Sequence, residues 1–170
     1  EMSIVYAFIP FMNVIYTYGM ETAFFRFANK TDKRTVFNTT SISLVASTVL
    51  LSIVLILLNK PLSVLLQITQ HREYLSMAAG IIGLDALTTI PFAKLRQDGR
   101  PIKFATTKIG GILINIFFVY FFLSICPNLA KDPNSWVHIF FNKDWAVGYV
   151  LLANLIQSAI TLLLLSKQFI

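Results

Sequence analysis

VFNTTSISLVASTVLLSIVLILL, residues 36–58, contains no ionisable side chain. As an α-helix it is about 34 Å long, enough to cross a hydrocarbon layer roughly 30 Å thick. The stretch before it is nearly as apolar. Met2 to Met20 carries no charge, then Glu21 and Arg26 interrupt the run, and Lys30-Thr31-Asp32-Lys33-Arg34 closes it. Ionisable groups in a membrane-length segment are costly and usually face a protein interior or a water-filled cavity. The two charges of Thr17-Tyr18-Gly19-Met20-Glu21-Thr22-Ala23-Phe24-Phe25-Arg26-Phe27 are therefore the first place to look for function.

The whole chain shares this character. Of its 170 residues 56% are hydrophobic and 13% charged, with 15 phenylalanines and a mean hydropathy of +0.70. Those values lie outside the range of soluble domains. A soluble all-helical bundle is excluded because several uncharged runs have membrane-spanning length. The net charge of +6 describes topology rather than nucleic-acid binding, since the basic residues collect in short loops beside apolar runs and are not interleaved with exposed aromatics. A single cysteine, Cys126, excludes an internal disulfide. With only two histidines, it offers no metal-ligand spacing either.

The pattern predicts an all-α polytopic bundle of about five transmembrane helices: 3–28, 36–58, 74–93, 104–125 and 145–166, with no domain boundary within 1–170. Pro10 is expected to kink the first. Thr40, Ser43 and Ser47 share a face of the second and are expected to pack closely on a neighbour. Residues 62–72, LSVLLQITQHR, are too short and polar to span, and read as an interfacial or re-entrant turn with His71 at its polar end. The third span holds Gly80, Gly83 and Asp85, and Pro91 marks its end or a kink. The basic stretch KLRQDGRPIK, residues 94–103, reads as a loop. The fourth span carries Lys108, the close-approach pair Gly110-Gly111, and Asn115. A longer loop, 127–144, holds Trp136 and runs into Trp145, the aromatic placement of a membrane interface. In the fifth span Asn154, Gln157 and Thr161 form a polar stripe. The positive-inside rule puts loops 29–34 and 94–103 on the cytoplasmic side, so the first helix enters from the outer side. This topology and the opening Glu1-Met2-Ser3 lead to the expectation that the chain is a fragment of a longer protein.

Among candidate site residues, Arg26 lies near the cytoplasmic end, where it either snorkels to lipid phosphate or faces a cavity. Glu21 is deeper by about 7 Å and needs a partner on another helix, protonation or water. Asp85 lies mid-span with no opposite charge near it in sequence, which suits either a cavity-lining, ion-coupling acid or a structural hydrogen bond. Enzyme signatures are absent: there is no phosphate loop, no nucleophile with a base at useful spacing, and no cofactor motif.

The run Phe8-Ile9-Pro10-Phe11-Met12-Asn13-Val14 through Tyr18-Gly19-Met20-Glu21-Thr22-Ala23-Phe24-Phe25-Arg26-Phe27 resembles the second helix of the polysaccharide flippases. These are the lipid-linked oligosaccharide exporters of the multidrug/oligosaccharidyl-lipid/polysaccharide superfamily. Ile90-Pro91-Phe92-Ala93-Lys94-Leu95-Arg96-Gln97-Asp98-Gly99-Arg100-Pro101 resembles that family's fourth helix and the loop after it. The resemblance implies a twelve- to fourteen-helix transporter of two bundles, of which this chain supplies part of the first. It implies flipping of a polyprenyl-pyrophosphate-linked sugar, a lipopolysaccharide or other polysaccharide precursor, across the bacterial inner membrane by alternating access. Arg26 and Lys108 would then bind substrate anion, Glu21 and Asp85 would pair with cations or couple to ions, and Asn115, Asn154 and Gln157 would hydrogen-bond sugar. The expected partners are that lipid-linked oligosaccharide, membrane lipid and the remaining helices of the transporter. The alternatives are a multidrug or other small-molecule exporter of the same superfamily, or a membrane-embedded enzyme of polysaccharide assembly.

Overall fold

The computed structural model describes residues 2–66, 73–130, 141–142 and 145–168. His71 and Trp136 lie outside them. The described chain is all helix: α1 Met2–Thr17, α2 Met20–Ala28, α3 Lys33–Leu57, α4 Asn59–Leu65, α5 Glu73–Gln97, α6 Pro101–Tyr120, α7 Cys126–Leu129 and α8 Ala146–Leu165. A π-helical turn, Phe121–Ile125, joins α6 to α7, and a 3₁₀ turn, Ser166–Gln168, follows α8. Pro127, which has no N–H to donate, lies just beyond the π turn and accounts for the departure from α-helical pairing there.

Among the described residues four helical stretches are long and apolar enough to cross a membrane: Lys33–Leu57, Glu73–Gln97, Pro101–Leu129 and Ala146–Gln168. The expected first span, 3–28, is not one helix. It divides into α1 and α2 at Tyr18 (φ 31°) and Gly19 (φ 74°). Both residues lie in the left-handed region, which costs little for glycine and is unusual for tyrosine. Pro10, where a kink was expected, lies inside α1, and the chain breaks two turns later.

α5 is the axis of the bundle. In an apolar 18-residue window of its spanning stretch 61% of residues are buried, against 17% in that of Pro101–Leu129. It packs on α1, α2, α3, α6 and α8. Its N-terminal half meets Val5 of α1 and Leu151 of α8 through Tyr74, Ala78 and Ile81. Ala79, Ile82 and Ala86 meet Tyr16 and Leu55, and Ile90 and Ala93 meet Phe24 and Phe37. α5 passes through Pro91 and continues to Gln97, so Lys94 and Arg96 stand on its last turn. The connection to α6 is correspondingly shorter than the expected 94–103 loop, because α6 begins at Pro101, a favourable first helical position.

Small residues set the helix spacing. A Cβ on Gly111 would approach Thr161 Oγ1 to 3.0 Å and Gln157 Nε2 to 3.3 Å, whereas one on Gly110 would meet nothing within 4 Å. Gly111 is thus the member of the pair that lets α6 approach α8. The α3 face meets the break in the first segment: Tyr18 Oη and Ser43 Oγ are hydrogen-bonded at 2.8 Å. Tyr16 Oη and Ser52 Oγ lie 3.2 Å apart, nine residues further along α3. Thr40 and Ser47 return their hydroxyls to their own helix, donating to the carbonyls of Val36 (2.8 Å) and Leu44 (3.1 Å).

The bundle has two distinct ends. At one, Gln97 Nε2 donates to Asn29 Oδ1 at 2.7 Å and Lys94 Nζ donates to the Gln168 carbonyl at 2.6 Å. This end gathers the basic segments. At the other, Trp145 Nε1 donates to Glu73 at 3.2 Å and Asn59 Nδ2 donates to Ser76 Oγ at 2.8 Å. The faces of α3 and α6 turned away from the bundle carry exposed Ile42, Leu50, Leu57, Ile109, Leu113 and Phe117, an apolar surface suited to lipid tails.

Candidate functional site

The break between α1 and α2 opens onto two cavities. The first, about 500 Å³, is lined by Asn13, Glu21, Asp85, Thr88, Thr89, Phe92, Arg96, Phe104, Lys108, Ile112 and Gln157. The second, about 470 Å³, is lined by Pro10, Asn13, Val14, Thr17, Gly19, Glu21, Thr22 and Thr89. They share Asn13, Glu21 and Thr89, so the helix break and the polar cavity form one continuous region. Irregular backbone at membrane depth is tolerated where it is buried in protein or lines a water-filled cavity, because its freed amide and carbonyl groups must find partners. Here Tyr18 and Gly19 are exposed rather than buried in protein, and Gly19 lines the second cavity.

Helical periodicity assembles the walls. Asp85, Thr88, Thr89, Phe92 and Arg96 recur at the spacing of one α5 face. Phe104, Lys108 and Ile112 do the same on α6. Gln157 closes the α8 side. Asn13 adds a polar group without a local partner: its Oδ1 is buried and makes no hydrogen bond among the described residues. In a low-dielectric interior such an acceptor is costly unless a donor reaches it.

The charges balance in kind. Glu21, in the first turn of α2, is ion-paired to Arg96. The Arg96 guanidinium also lies 5.3 Å from the Phe25 ring centroid and 5.4 Å from that of Phe104, a cation–π sandwich. Glu21 also sits where a carboxylate complements the dipole of α2. Deeper in the cavity, Asp85 Oδ1 accepts a 2.7 Å hydrogen bond from the buried Ser158 hydroxyl of α8. Lys108 Nζ stands 4.5 Å from the Phe92 ring centroid. Two carboxylates and two cations thus share one space with two amides and two phenyl rings.

Above the cavity, a hydrogen-bonded layer ties three helices. Asn154 Nδ2 donates to Tyr6 Oη at 2.6 Å, and Asn115 Nδ2 donates to Asn154 Oδ1 at 2.8 Å. Gln157 Nε2 reaches Thr161 Oγ1 at 3.4 Å. The expected polar stripe of α8 is therefore split in use. Asn154 joins α1 to α6, while Gln157 borders the cavity.

Of the residues singled out from the sequence, Glu21, Asp85, Lys108 and Gln157 line the same cavity, and Asn115 and Asn154 bond to each other beside it. Arg26 is exposed near the end of α2 and lines neither cavity. Arg96, Asn13, Thr88, Thr89, Ser158 and Tyr6 were not singled out. Arg96 and the two threonines carry a signal, since they continue the face of Asp85 once α5 is extended past Pro91. Among the described residues no group of three or more His, Cys, Asp or Glu side chains comes together to hold a metal.

The four long apolar helical stretches make this a multi-span membrane-type helical bundle, an architecture consistent with a transport-type protein. No protein-family model, curated protein or solved structure matches the chain.

Proposed function

We propose that the chain is part of an exporter that flips lipid-linked oligosaccharide precursors across the bacterial inner membrane by alternating access. The observation that carries this reading is the polar, charge-balanced cavity beside the α1–α2 break. Discontinuous helices at membrane depth are the usual builders of transporter binding sites, because their unpaired backbone groups and flanking side chains face the substrate. The residues quoted from α1–α2 and from the end of α5 support the polysaccharide-flippase reading over other transporters. In this account α1 and α2 together make a fifth crossing, and the end bearing Asn29 and Gln97 faces the cytoplasm.

Each wall residue has a chemical task. Asn13, Gln157, Thr88 and Thr89 offer donors and acceptors to sugar hydroxyls, and Phe92 and Phe104 offer apolar faces to the ring. Lys108 and Arg96 attract an anionic part of the substrate, while Asp85 and Glu21 hold those cations in place or exchange a cation during the cycle. Asp85→Asn and Lys108→Gln are expected to leave protein levels normal while surface polysaccharide is lost and its lipid-linked precursor accumulates. Full export in both variants would sink the assignment.

Phe92 and Phe104 also favour a second reading, export of a small amphipathic molecule. Under that reading the same variants raise cellular retention of small hydrophobic cations and leave surface polysaccharide unchanged. An enzyme of polysaccharide assembly would instead form product when purified, without any vesicle.

A further inference from the structure

Another pocket, separate from both cavities, lies at the end of the bundle where the basic segments gather. It is about 260 Å³ and is built by the middle of α2, the start of α3, the end of α5 and the 3₁₀ turn after α8. Its polar rim is Lys33, Arg34, Asn38, Lys94, Gln97 and Asp98, and its floor is formed by the buried rings of Phe24 and Phe37. We propose that this pocket binds a phosphate group presented at the membrane surface, the head group of an anionic phospholipid being the source its shape favours.

Three observations converge on that ligand. The first is charge. Lys33, Arg34 and Lys94 face a single carboxylate, Asp98, whereas the interior cavity sets two cations against two carboxylates. The neighbouring Asp32 does not line the pocket, although its carboxylate lies in the field of Arg34. Its carboxylate accepts from the Thr35 N–H at 2.9 Å and the Thr35 hydroxyl at 2.8 Å. The second is preorganisation. Lys94 Nζ is fixed by the Gln168 carbonyl at 2.6 Å and by the Phe37 ring at 4.2 Å, with no carboxylate within ion-pair distance among the described residues. A held cation, with N–H capacity to spare, loses little entropy on meeting an anion. The third is the division between a cationic rim and a phenyl floor, which matches a phosphate joined to glycerol and the start of an acyl chain. A free inorganic anion would use the rim alone. The volume lies just under the roughly 300–1,000 Å³ of pockets for drug-sized ligands, as suits a head group.

The test uses the full chain in detergent, titrated with phosphatidylglycerol or phosphatidylcholine and read by native mass spectrometry. Wild type is expected to retain phosphatidylglycerol in preference to phosphatidylcholine. The Lys33→Gln/Arg34→Gln double variant, altered at two exposed side chains, is expected to bind it roughly tenfold more weakly or worse, the scale of two basic residues at an anionic surface. Lys60→Gln, on α4 at the other end of the bundle, is expected to bind like wild type. Equal retention of the two lipids by wild type, or equal affinity in the double variant, would overturn the proposal. An excess of inorganic phosphate that displaces the phosphatidylglycerol would assign the site to free phosphate and overturn the lipid source. Persistence of the lipid would support it. Should the double variant fold poorly, wild-type phosphatidylglycerol affinity is measured against rising salt. A fall supports a charge-held phosphate, and a flat response overturns it.

Discussion

Glu21 and Arg96, 75 residues apart in the chain, form an ion pair that fastens the short helix after the Tyr18–Gly19 break to the end of the central helix. The two side chains are 38% and 42% exposed, so the cavity's water reaches them and their mutual attraction is screened. A pair of this kind contributes about 0.2–1 kcal/mol. Glu21→Gln and Arg96→Gln are therefore expected to leave thermal stability in detergent nearly unchanged and to impair export. The exchanged pair Glu21→Arg/Arg96→Glu is expected to restore part of it. Equal export by all variants would show that the pair has no part in transport.

Arg26 and Asp85 are expected to separate. Arg26 is exposed and borders neither cavity, so Arg26→Gln should keep export close to wild type. Asp85→Asn keeps an acceptor for the Ser158 hydroxyl and removes only the charge, so the fold should survive while export is lost. Ser158→Ala removes a buried donor and should cost stability in the range of about 1–3 kcal/mol. Thermal unfolding and export measured on the same three variants check these expectations.

Asn154 is a junction among α1, α6 and α8. Replacing it with leucine removes its bonds to Tyr6 and Asn115 together. Interhelical hydrogen bonds in membranes average about 0.6 kcal/mol each and reach about 1.7. Asn154→Leu should lower stability by roughly 1–2 kcal/mol, and Asn115→Leu by less, as measured by unfolding in mixed detergent.

Gly111 and Gly110 form an internal control. Gly111→Leu forces a side chain into Thr161 and Gln157 and is expected to cost about 1–3 kcal/mol through overpacking. Gly110→Leu meets open space and should be tolerated. Equal loss of stability from the two would contradict the α6–α8 contact.

Asp32 caps α3, and the Thr35 backbone N–H, followed by its hydroxyl, holds the Asp32 carboxyl below its usual value. A carboxyl lowered in the folded state binds fewer protons than in the unfolded chain. Its stabilising contribution is therefore complete above the unfolded value, near about 3.9, and fades as the pH falls through the folded one. The stability gap between wild type and Asp32→Ala should be open at neutral pH and narrow on acidification below about 4. A gap that does not change with pH would show that the cap acts without its charge.

Much of the bundle was legible because hydropathy over some twenty residues is an unambiguous signal. The long stretches of α3, α5, α6 and α8 appear where apolar runs predict them. The break at Tyr18–Gly19 was not legible, since a lone glycine inside an apolar run is compatible with an unbroken membrane helix. Arg96 was hidden for a different reason. A proline at 91 followed closely by Lys94 and Arg96 imitates a helix end, yet α5 runs past all three because Ile90, Phe92, Ala93 and Leu95 are buried against its neighbours. Asp85 and Lys108 could be found from charge and depth alone. The choice of Ser158 for Asp85, or of Tyr6 for Asn154, depends on which helices meet, and no local pattern records that.

The most buried of the four spanning stretches is also the least apolar. α5 places Asp85 and two threonines against a face completed by α8, which the ribosome makes some fifty residues later. Emerging into lipid alone, that face would meet hydrocarbon, so α5 is expected to linger at the insertion machinery or lean on α3 until α8 arrives. A chain halted before residue 146 should then be a poor membrane resident, cleared by proteolysis even though three of its spanning stretches are already made.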